Sequence, residues 1–358
     1  MSSSKNIVII PGDGIGTEIT AAALQVAQAA AAQSGSSFTY ETKQAGGAAI
    51  DEYGIPLPAE TIEACRKADG VLLGAVGGPQ WDHVAPELRA EKAILGLRKE
   101  LGLYANLRPI KVFPALAGQS PLKAEIVSAV NILIVRELNG GIYYGARQEA
   151  SVVNGVEQAC DSEMYSRPEV ERIVRLACRA AIGRKGRVTS VDKANVLATS
   201  RLWRKVAAEI AQDFSEVELS HMYVDNCAMQ LVLNPGNFDV IVTSNLFGDI
   251  LSDEAAVLSG SIGLLPSASL GDGTGLYEPI HGSAPDIAGQ GLANPLGTIL
   301  SAAMLFRYSL SNTQAAIMIE QAVEQVLNDG YRTADIFQPG FTKVSTEEMG
   351  RQVIARLR

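Results

Sequence analysis

The sequence predicts an α/β protein of two domains, and three observations carry that expectation. The chain opens on a strand, a Gly-rich turn and an Ala-rich helix within residues 5–33. Short apolar runs of strand length then alternate with helical patterns through most of the chain. With 358 residues, it is long enough for two hydrophobic cores at about 100 to 200 residues per domain.

In chain order, KNIVII is a strand, PGDGIG a turn and 18–33 a helix. A strand follows at about 38–42, a helix at 59–68, the strand GVLLG at 70–74 and a helix at 86–101. Further strands are expected near 132–135, 188–191 and 240–243, and three helices at about 295–310, 314–328 and 346–357. Residues 140–161 alternate in strand fashion around a central Asn-Gly, which suits a hairpin. That hairpin is either an arm projecting from the second domain or an edge of the main sheet. If Tyr143 and Tyr144 are extended they point to opposite faces, so at most one serves a given site. No tandem repeat or low-complexity linker interrupts the pattern.

Composition removes several functional classes. Hydrophobic residues make up 47% and charged ones 19%, ordinary values for a folded chain. The formal net charge of -9 leaves no global footprint for nucleic acid or an anionic membrane. No stretch approaches the ~20 apolar residues that span a bilayer, and the N-terminus has too short an apolar run for a signal peptide. Cys65, Cys160, Cys178 and Cys227 form no CxxC pair, so free thiols in a reducing, cytoplasmic setting are expected.

PGDGIG does not complete the dinucleotide fingerprint, because Thr17 stands where the third glycine belongs. It remains a tight turn able to approach a ligand. Asp249 and Asp253 lie four apart, which on a helix stacks two carboxylates on one face. A hard divalent cation would satisfy such oxygens, and a solvated acidic face is the alternative. Arg98, Arg108 and Arg136 each lie in or beside apolar residues, where a guanidinium needs a partner. Together they suit the two carboxylates of a diacid, while singly each reads as a structural ion pair. Glu91, Ile94, Leu95 and Arg98 share one helical face, either a mixed pocket wall or, for Ile94 and Leu95, plain core. Lys193 and Asn195 follow a strand end, a common ligand-facing position, and a lysine of lowered pKa can act as a general base.

The chain resembles the β-decarboxylating dehydrogenases, with the isopropylmalate branch nearest. The motifs carrying the resemblance are PGDGIG, LLGAVGGPQWD, YANLRP, IVREL followed by GIYYG, SVDKANV, NLFGDILSDEA and GLLPSASLG followed by YEPIHGSAPDIAG. They run in order through essentially the whole chain. The resemblance implies a two-domain α/β fold of the isopropylmalate dehydrogenase type, not a Rossmann fold. Its first domain would comprise 1–103 and 260–358, and its second 104–259, with a β-arm at about 144–163 in a homodimer interface.

The activity so implied is oxidative decarboxylation of (2R,3S)-3-isopropylmalate to 4-methyl-2-oxopentanoate and CO₂, a step of leucine biosynthesis, with NAD and Mg²⁺ or Mn²⁺. Homoisocitrate, D-malate or tartrate as substrate, and a non-catalytic regulatory subunit, are the alternatives. Carried over by motif, Arg98, Arg108 and Arg136 hold the substrate carboxylates, while Ile94 and Leu95 meet the isopropyl group. Asp249 and Asp253 bind the metal with Asp225 of a second copy. Tyr143, Lys193 and Asp225 form the catalytic set, and Lys193 and Asn195 reach substrate across the interface. The cofactor set is Gly74, Ala75, Val76, Gly77, Gly78 and Glu91, then Glu278, His281, Gly282, Ser283, Ala284, Asp286, Ile287 and Asn294. Asp286 would bind the adenosine ribose and repel a 2′-phosphate; its alternative role is a first-turn helix residue favoured by the helix dipole.

Overall fold

The computed structural model describes residues 5–358. In chain order its first elements are β1 (Lys5–Gly12), α1 (Gly16–Gln33), β2 (Phe38–Thr42), α2 (Gly47–Tyr53), α3 (Ala59–Lys67), β3 (Gly70–Ala75) and α4 (Lys92–Glu100). There follow β4 (Ala105–Lys111), α5 (Ala124–Val127), β5 (Asn131–Glu137), β6 (Arg147–Val153), β7 (Val156–Asp161), α6 (Arg167–Ile182), β8 (Arg187–Asp192) and α7 (Ala198–Ala211). Next come β9 (Glu218–Tyr223), α8 (Val224–Leu233), β10 (Val240–Thr243), α9 (Asn245–Ala256), β11 (Pro266–Leu270) and β12 (Gly275–Pro279). The chain closes with α10 (Leu296–Tyr308), α11 (Thr313–Asn328), the short strands β13 (Tyr331–Arg332) and β14 (Thr342–Lys343), and α12 (Thr346–Ile354).

These elements cluster into two compact units. One comprises 5–103, 113–121 and 259–358; the other comprises 104–112 and 122–258. In the first, the strands run β2-β1-β3-β12-β11, parallel except for antiparallel β11. Every residue of β3 is buried, as expected for a parallel strand covered on both faces. Beside this sheet α10 is buried continuously from Leu296 to Phe306 and packs on α1 and α11. A helix apolar all round belongs in such a central position.

The second unit repeats the scheme. Its strands run β4-β5-β10-β8-β9, with β4 antiparallel to β5 and the rest parallel. β10, VIVT, is wholly buried, whereas β9, ELSHMY, is largely exposed. Helices α6 and α7 pack together, as do α8 and α9.

β6 and β7 form their own two-stranded antiparallel sheet, so the hairpin is a separate ribbon and not an edge of a larger sheet. Asn154 and Gly155 at its tip have φ of 53° and 79°, the positive pair that a type I′ turn requires. The helix expected at 86–101 is two pieces. A single 3₁₀ turn spans Pro86–Leu88, Arg89 is extended, and α4 begins only at Lys92. Tyr143 ends a 3₁₀ turn, Gly141–Tyr143, so the extended geometry assumed for Tyr143 and Tyr144 does not occur. All four cysteines are free thiols, with Cys160 alone exposed. Among the described residues no helix is long and apolar enough to cross a membrane.

Candidate active site

In the second unit, neighbouring strands β4 and β5 carry Arg108 and Arg136 beneath helix α9. Both arginines are buried, and both aim at acids of that helix. Arg108 donates through Nη1 to Asp253 Oδ1 at 2.9 Å and to Ser252 Oγ at 2.7 Å, and through Nε to Asn106 Oδ1 at 2.8 Å. Arg136 donates to Asp249 Oδ1 through Nη1 and to Asn245 Oδ1 through Nε and Nη2 at 3.0 and 2.7 Å. The two carboxylates one helical turn apart are therefore paired with buried guanidiniums, while Asp253 itself stays exposed to water. Their mutual repulsion is offset by two guanidiniums that are themselves buried.

Tyr143 joins this cluster. Its hydroxyl donates to Asp249 Oδ2 at 2.7 Å, and the Arg136 guanidinium lies 5.7 Å from its ring centroid. Burial pushes the phenol above its ordinary pKa and the Asp249 carboxylate adds to that, so the hydroxyl holds its proton at neutral pH. Three further residues of α9 take part. Asn245 fixes Arg136 and is itself held, its amide donating to the Leu138 and Gly140 carbonyls at 3.0 and 3.3 Å. Gly248 leaves the room that the Arg136 stem fills, and Ser252 receives Arg108. Asn245, Gly248, Asp249 and Ser252 follow the i, i+3, i+4, i+7 rule, so a helical projection of the whole motif finds all four.

At the end of β8, Lys193 Nζ donates to Asp225 Oδ1 at 2.7 Å. Asp225 lies in the first turn of α8, where the lysine hydrogen bond holds its carboxyl below the usual value. Asn195 is exposed in the same loop. Among the described residues of one chain, no three His, Cys, Asp or Glu side chains group as metal ligands. The three aspartates of the expected metal set thus divide into two and one.

In the first unit, α4 buries Ala93 and Leu97, leaves Ile94 half-buried and turns Leu95 outward, 41% exposed. The core reading fails for Leu95 only: Ile94 is half-buried, and the fully buried stripe is Ala93 and Leu97. One turn on from Ile94, Arg98 Nη2 donates to Glu278 Oε1 at 3.1 Å in a largely buried ion pair. Glu91 directly precedes α4 without a side-chain capping bond, and a side chain added at Gly77 would stand 2.6 Å from its Oε1.

The Gly-rich turn after β1 meets protein, not open space. The Gly14 position lies against the Ser283 carbonyl, which also accepts from the Ile15 N–H at 2.8 Å. Asp13, buried, accepts from the backbone N–H groups of Gly47, Ala48 and Gly77 at 2.8, 2.8 and 2.7 Å. Burial raises its pKa, and those three hydrogen bonds oppose the rise. It thereby ties the loop of Val76, Gly77 and Gly78 to the turn. Gly74 and Ala75 lie inside β3, where Ala75 O accepts from Asp13 N at 2.7 Å.

In the HGSAPDIAG segment, His281 Nδ1 lies 3.0 Å from the Gly282 carbonyl, while Nε2 is buried with no partner among the described residues. Burial holds this imidazole below its ordinary pKa. Ser283 is buried and Gly282 exposed; Ala284 and Ile287 pack on the cluster of Ile15, Ile19 and Ala293. Asp286 is exposed in a run of turns, and no helix starts there, so the first-turn role falls. Asn294 is buried and committed to structure. Its Oδ1 accepts from Leu296 N at 3.0 Å, and its Nδ2 donates to Asp335 Oδ2 at 3.0 Å.

Comparison with known proteins matches this arrangement to one family. The family model described as isocitrate/isopropylmalate dehydrogenase matches residues 6–353. A 3-isopropylmalate dehydrogenase of Clostridium acetobutylicum is 57% identical over 353 residues, covering 98% of this chain and 99% of its own. Among solved structures, isocitrate dehydrogenase from Methylococcus capsulatus aligns with a TM-score of 0.87 at 36% identity over 99% of both chains. A β-decarboxylating dehydrogenase from Thermococcus kodakarensis aligns with a TM-score of 0.82 at 39% identity, over 99% of this chain and 96% of its own. With its paired arginines and aspartates on β4, β5 and α9, the chain belongs to the isocitrate/isopropylmalate dehydrogenase family.

Proposed function

We propose that the protein oxidises and decarboxylates (2R,3S)-3-isopropylmalate with NAD, yielding 4-methyl-2-oxopentanoate and CO₂ for leucine biosynthesis. The observation that carries the substrate assignment is the exposed Leu95 beside half-buried Ile94, one turn from Arg98 on α4. An isopropyl group removes that surface from water, whereas a third carboxylate would gain no partner from it.

The donor set fits a hard divalent cation. Asp249 and Asp253 offer carboxylate oxygens from one helix face, and Mg²⁺ and Mn²⁺ favour such ligands. The pair of aspartates and the pair of arginines are together neutral. Adding a dication leaves a surplus of two positive charges, matched to a substrate with two carboxylates. With the aspartates engaged by a cation, Arg108 and Arg136 would be free to face those carboxylates. When bound, the metal polarises the substrate hydroxyl and stabilises charge that develops on oxygen. Lys193 would take up the hydroxyl proton, a bound NAD would supply the hydride acceptor, and the resulting β-keto acid would lose CO₂. Tyr143, held by Asp249, returns a proton to carbon. Glu91, the Gly74–Gly78 loop and the 278–287 segment form the NAD site, with Asp286 directed at the ribose hydroxyls.

The working form is a homodimer. Lys193, Asn195 and Asp225 of one copy serve the arginines and aspartates of the other, which explains the divided aspartates. Helices α8 and α9 support this reading by exposing Met229, Val232, Leu233 and Ile250, with Val257 just past α9, apolar residues of the kind that mark an interface. The ribbon of β6 and β7 exposes Val152 and Val156 for the same association.

The test is NADH formation by purified protein with Mg²⁺, comparing 3-isopropylmalate, homoisocitrate, isocitrate, D-malate and tartrate. Preference for 3-isopropylmalate in kcat/KM is expected, and preference for another acid overturns the substrate. Inactivity with every acid would favour a regulatory subunit. Mixing inactive Lys193→Ala and Asp249→Asn chains under subunit exchange is expected to regain activity, and no gain would overturn the shared site.

A further inference from the structure

Two strand ends carry the Lys193 and Asp225 pair, and one arginine on a third element holds both. Asp192 and Tyr223, the last residues of parallel strands β8 and β9, are register partners. Each stands next to one half of the pair in sequence: Asp192 directly precedes Lys193, and Tyr223, at the N-cap position of α8, lies two residues before Asp225. From the middle of α7, Arg204 donates through Nε to Asp192 Oδ2 and through Nη2 to Asp192 Oδ1, both at 2.8 Å. The same guanidinium lies 4.9 Å from the centroid of the Tyr223 ring.

Asp192 is 1% exposed, and its Oδ1 also accepts from Ala194 N at 2.9 Å, which turns the chain just past Lys193. The helix grips that loop further. Lys193 N donates to Ser200 Oγ at 3.1 Å, and Arg201 Nη1 donates to the Val196 carbonyl at 3.2 Å. A two-pronged bond and a flat stacked face fix a guanidinium in both angle and distance, which an ammonium does not do.

We propose that Arg204, acting through Asp192 and Tyr223, is a positioning residue that sets the spacing of Lys193 and Asp225 for proton transfer. The proposal rests on the role given above to Lys193. It adds that the base is aimed by a clamp which touches no substrate, and that the clamp governs turnover and not binding. Arg204→Met removes both contacts; Arg204→Lys keeps the charge but neither the fork nor the flat face.

The experiment is steady-state kinetics of the full-length Arg204→Met and Arg204→Lys enzymes with 3-isopropylmalate, NAD and Mg²⁺ in H₂O and D₂O. For Arg204→Met, kcat is expected to fall about 10- to 100-fold, the scale of an ångström of misplacement. KM for both substrates should stay within about twofold. The solvent isotope effect on kcat should rise as proton transfer slows, and Arg204→Lys should recover only part of the loss. A merely structural arginine would lower the active fraction and leave the isotope effect at its parent value, which overturns the proposal, as does parent-like kcat. Should Arg204→Met not fold, Arg204→Lys is judged by the same isotope effect. Lys193→Ala separates the two levels: near-normal turnover there overturns the proton-transfer reading itself. An inactive Lys193→Ala beside a fully active Arg204→Met overturns the clamp alone.

Discussion

The Cγ of Arg136 lies 2.6 Å from where a side chain at Gly248 would begin. Gly248 is buried within α9, where alanine would ordinarily favour the helix by ~1 kcal/mol. Here the methyl group would displace the guanidinium stem that Asn245 and Asp249 hold. Gly248→Ala is therefore expected to cost ~1–3 kcal/mol of overpacking, realised as Arg136 leaving its place. KM for the diacid should rise about tenfold or more while KM for NAD stays within about twofold. Equal effects on both constants would show that the damage is not confined to Arg136.

Leu95 faces solvent from α4 while Ala93 and Leu97 hold that helix to its unit. Leu95→Ser should leave stability within ~0.5 kcal/mol, as for other surface changes. The same change should lower kcat/KM for 3-isopropylmalate by about 10- to 200-fold, the range for lost apolar pocket contact. D-malate, which lacks the branched group, should be oxidised about as well as before. A matched loss on both acids would remove Leu95 from the substrate pocket.

Much of this architecture is legible because buried parallel strands must be apolar on both faces. GVLLG and VIVT announce themselves in that way, and Asn154-Gly155 marks its own turn. β9 does not, since ELSHMY is exposed and polar and lacks the pattern that burial imposes. The break at Arg89 is silent because the helical period of 86–101 continues across it. Asp249 and Asp253 are visible as a spacing. Their engagement by Arg108 and Arg136 depends on β4 lying beside β5, a pairing of distant residues that periodicity does not encode. The outward direction of Leu95 follows from which stripe of α4 the unit buries, and both stripes of that helix contain apolar residues.

Asp286 sits exposed in the 281–290 turns, so its carboxylate is free to act on a ligand in water. Against NADP its charge would oppose a 2′-phosphate, and discrimination by repulsion is lost when the charge is removed. Asp286→Ala is expected to narrow the ratio of kcat/KM for NAD over NADP by about tenfold, ~1.4 kcal/mol. The measurement is that ratio, and an unchanged value removes Asp286 from cofactor choice.

His281 is half-buried with its Nε2 buried and unpartnered among the described residues, and desolvation is the leading cause that holds its pKa low. The Gly282 carbonyl and the more distant Asp335 carboxylate act in the opposite sense and are outweighed. In the unfolded chain a histidine titrates near ~6.5, so below that pH the unfolded state binds a proton that the fold refuses. The stability tied to neutral His281 is thus present above ~6.5 and is lost as pH falls toward the lower folded value. Melting temperature should decline as pH is taken from about 7.5 to about 5.5, and His281→Gln should make that decline shallower. It should not abolish it, because His221 is also held low, by burial and then by Arg204. A pH profile of melting that the substitution leaves unchanged would mean that His281 takes up its proton without cost to the fold.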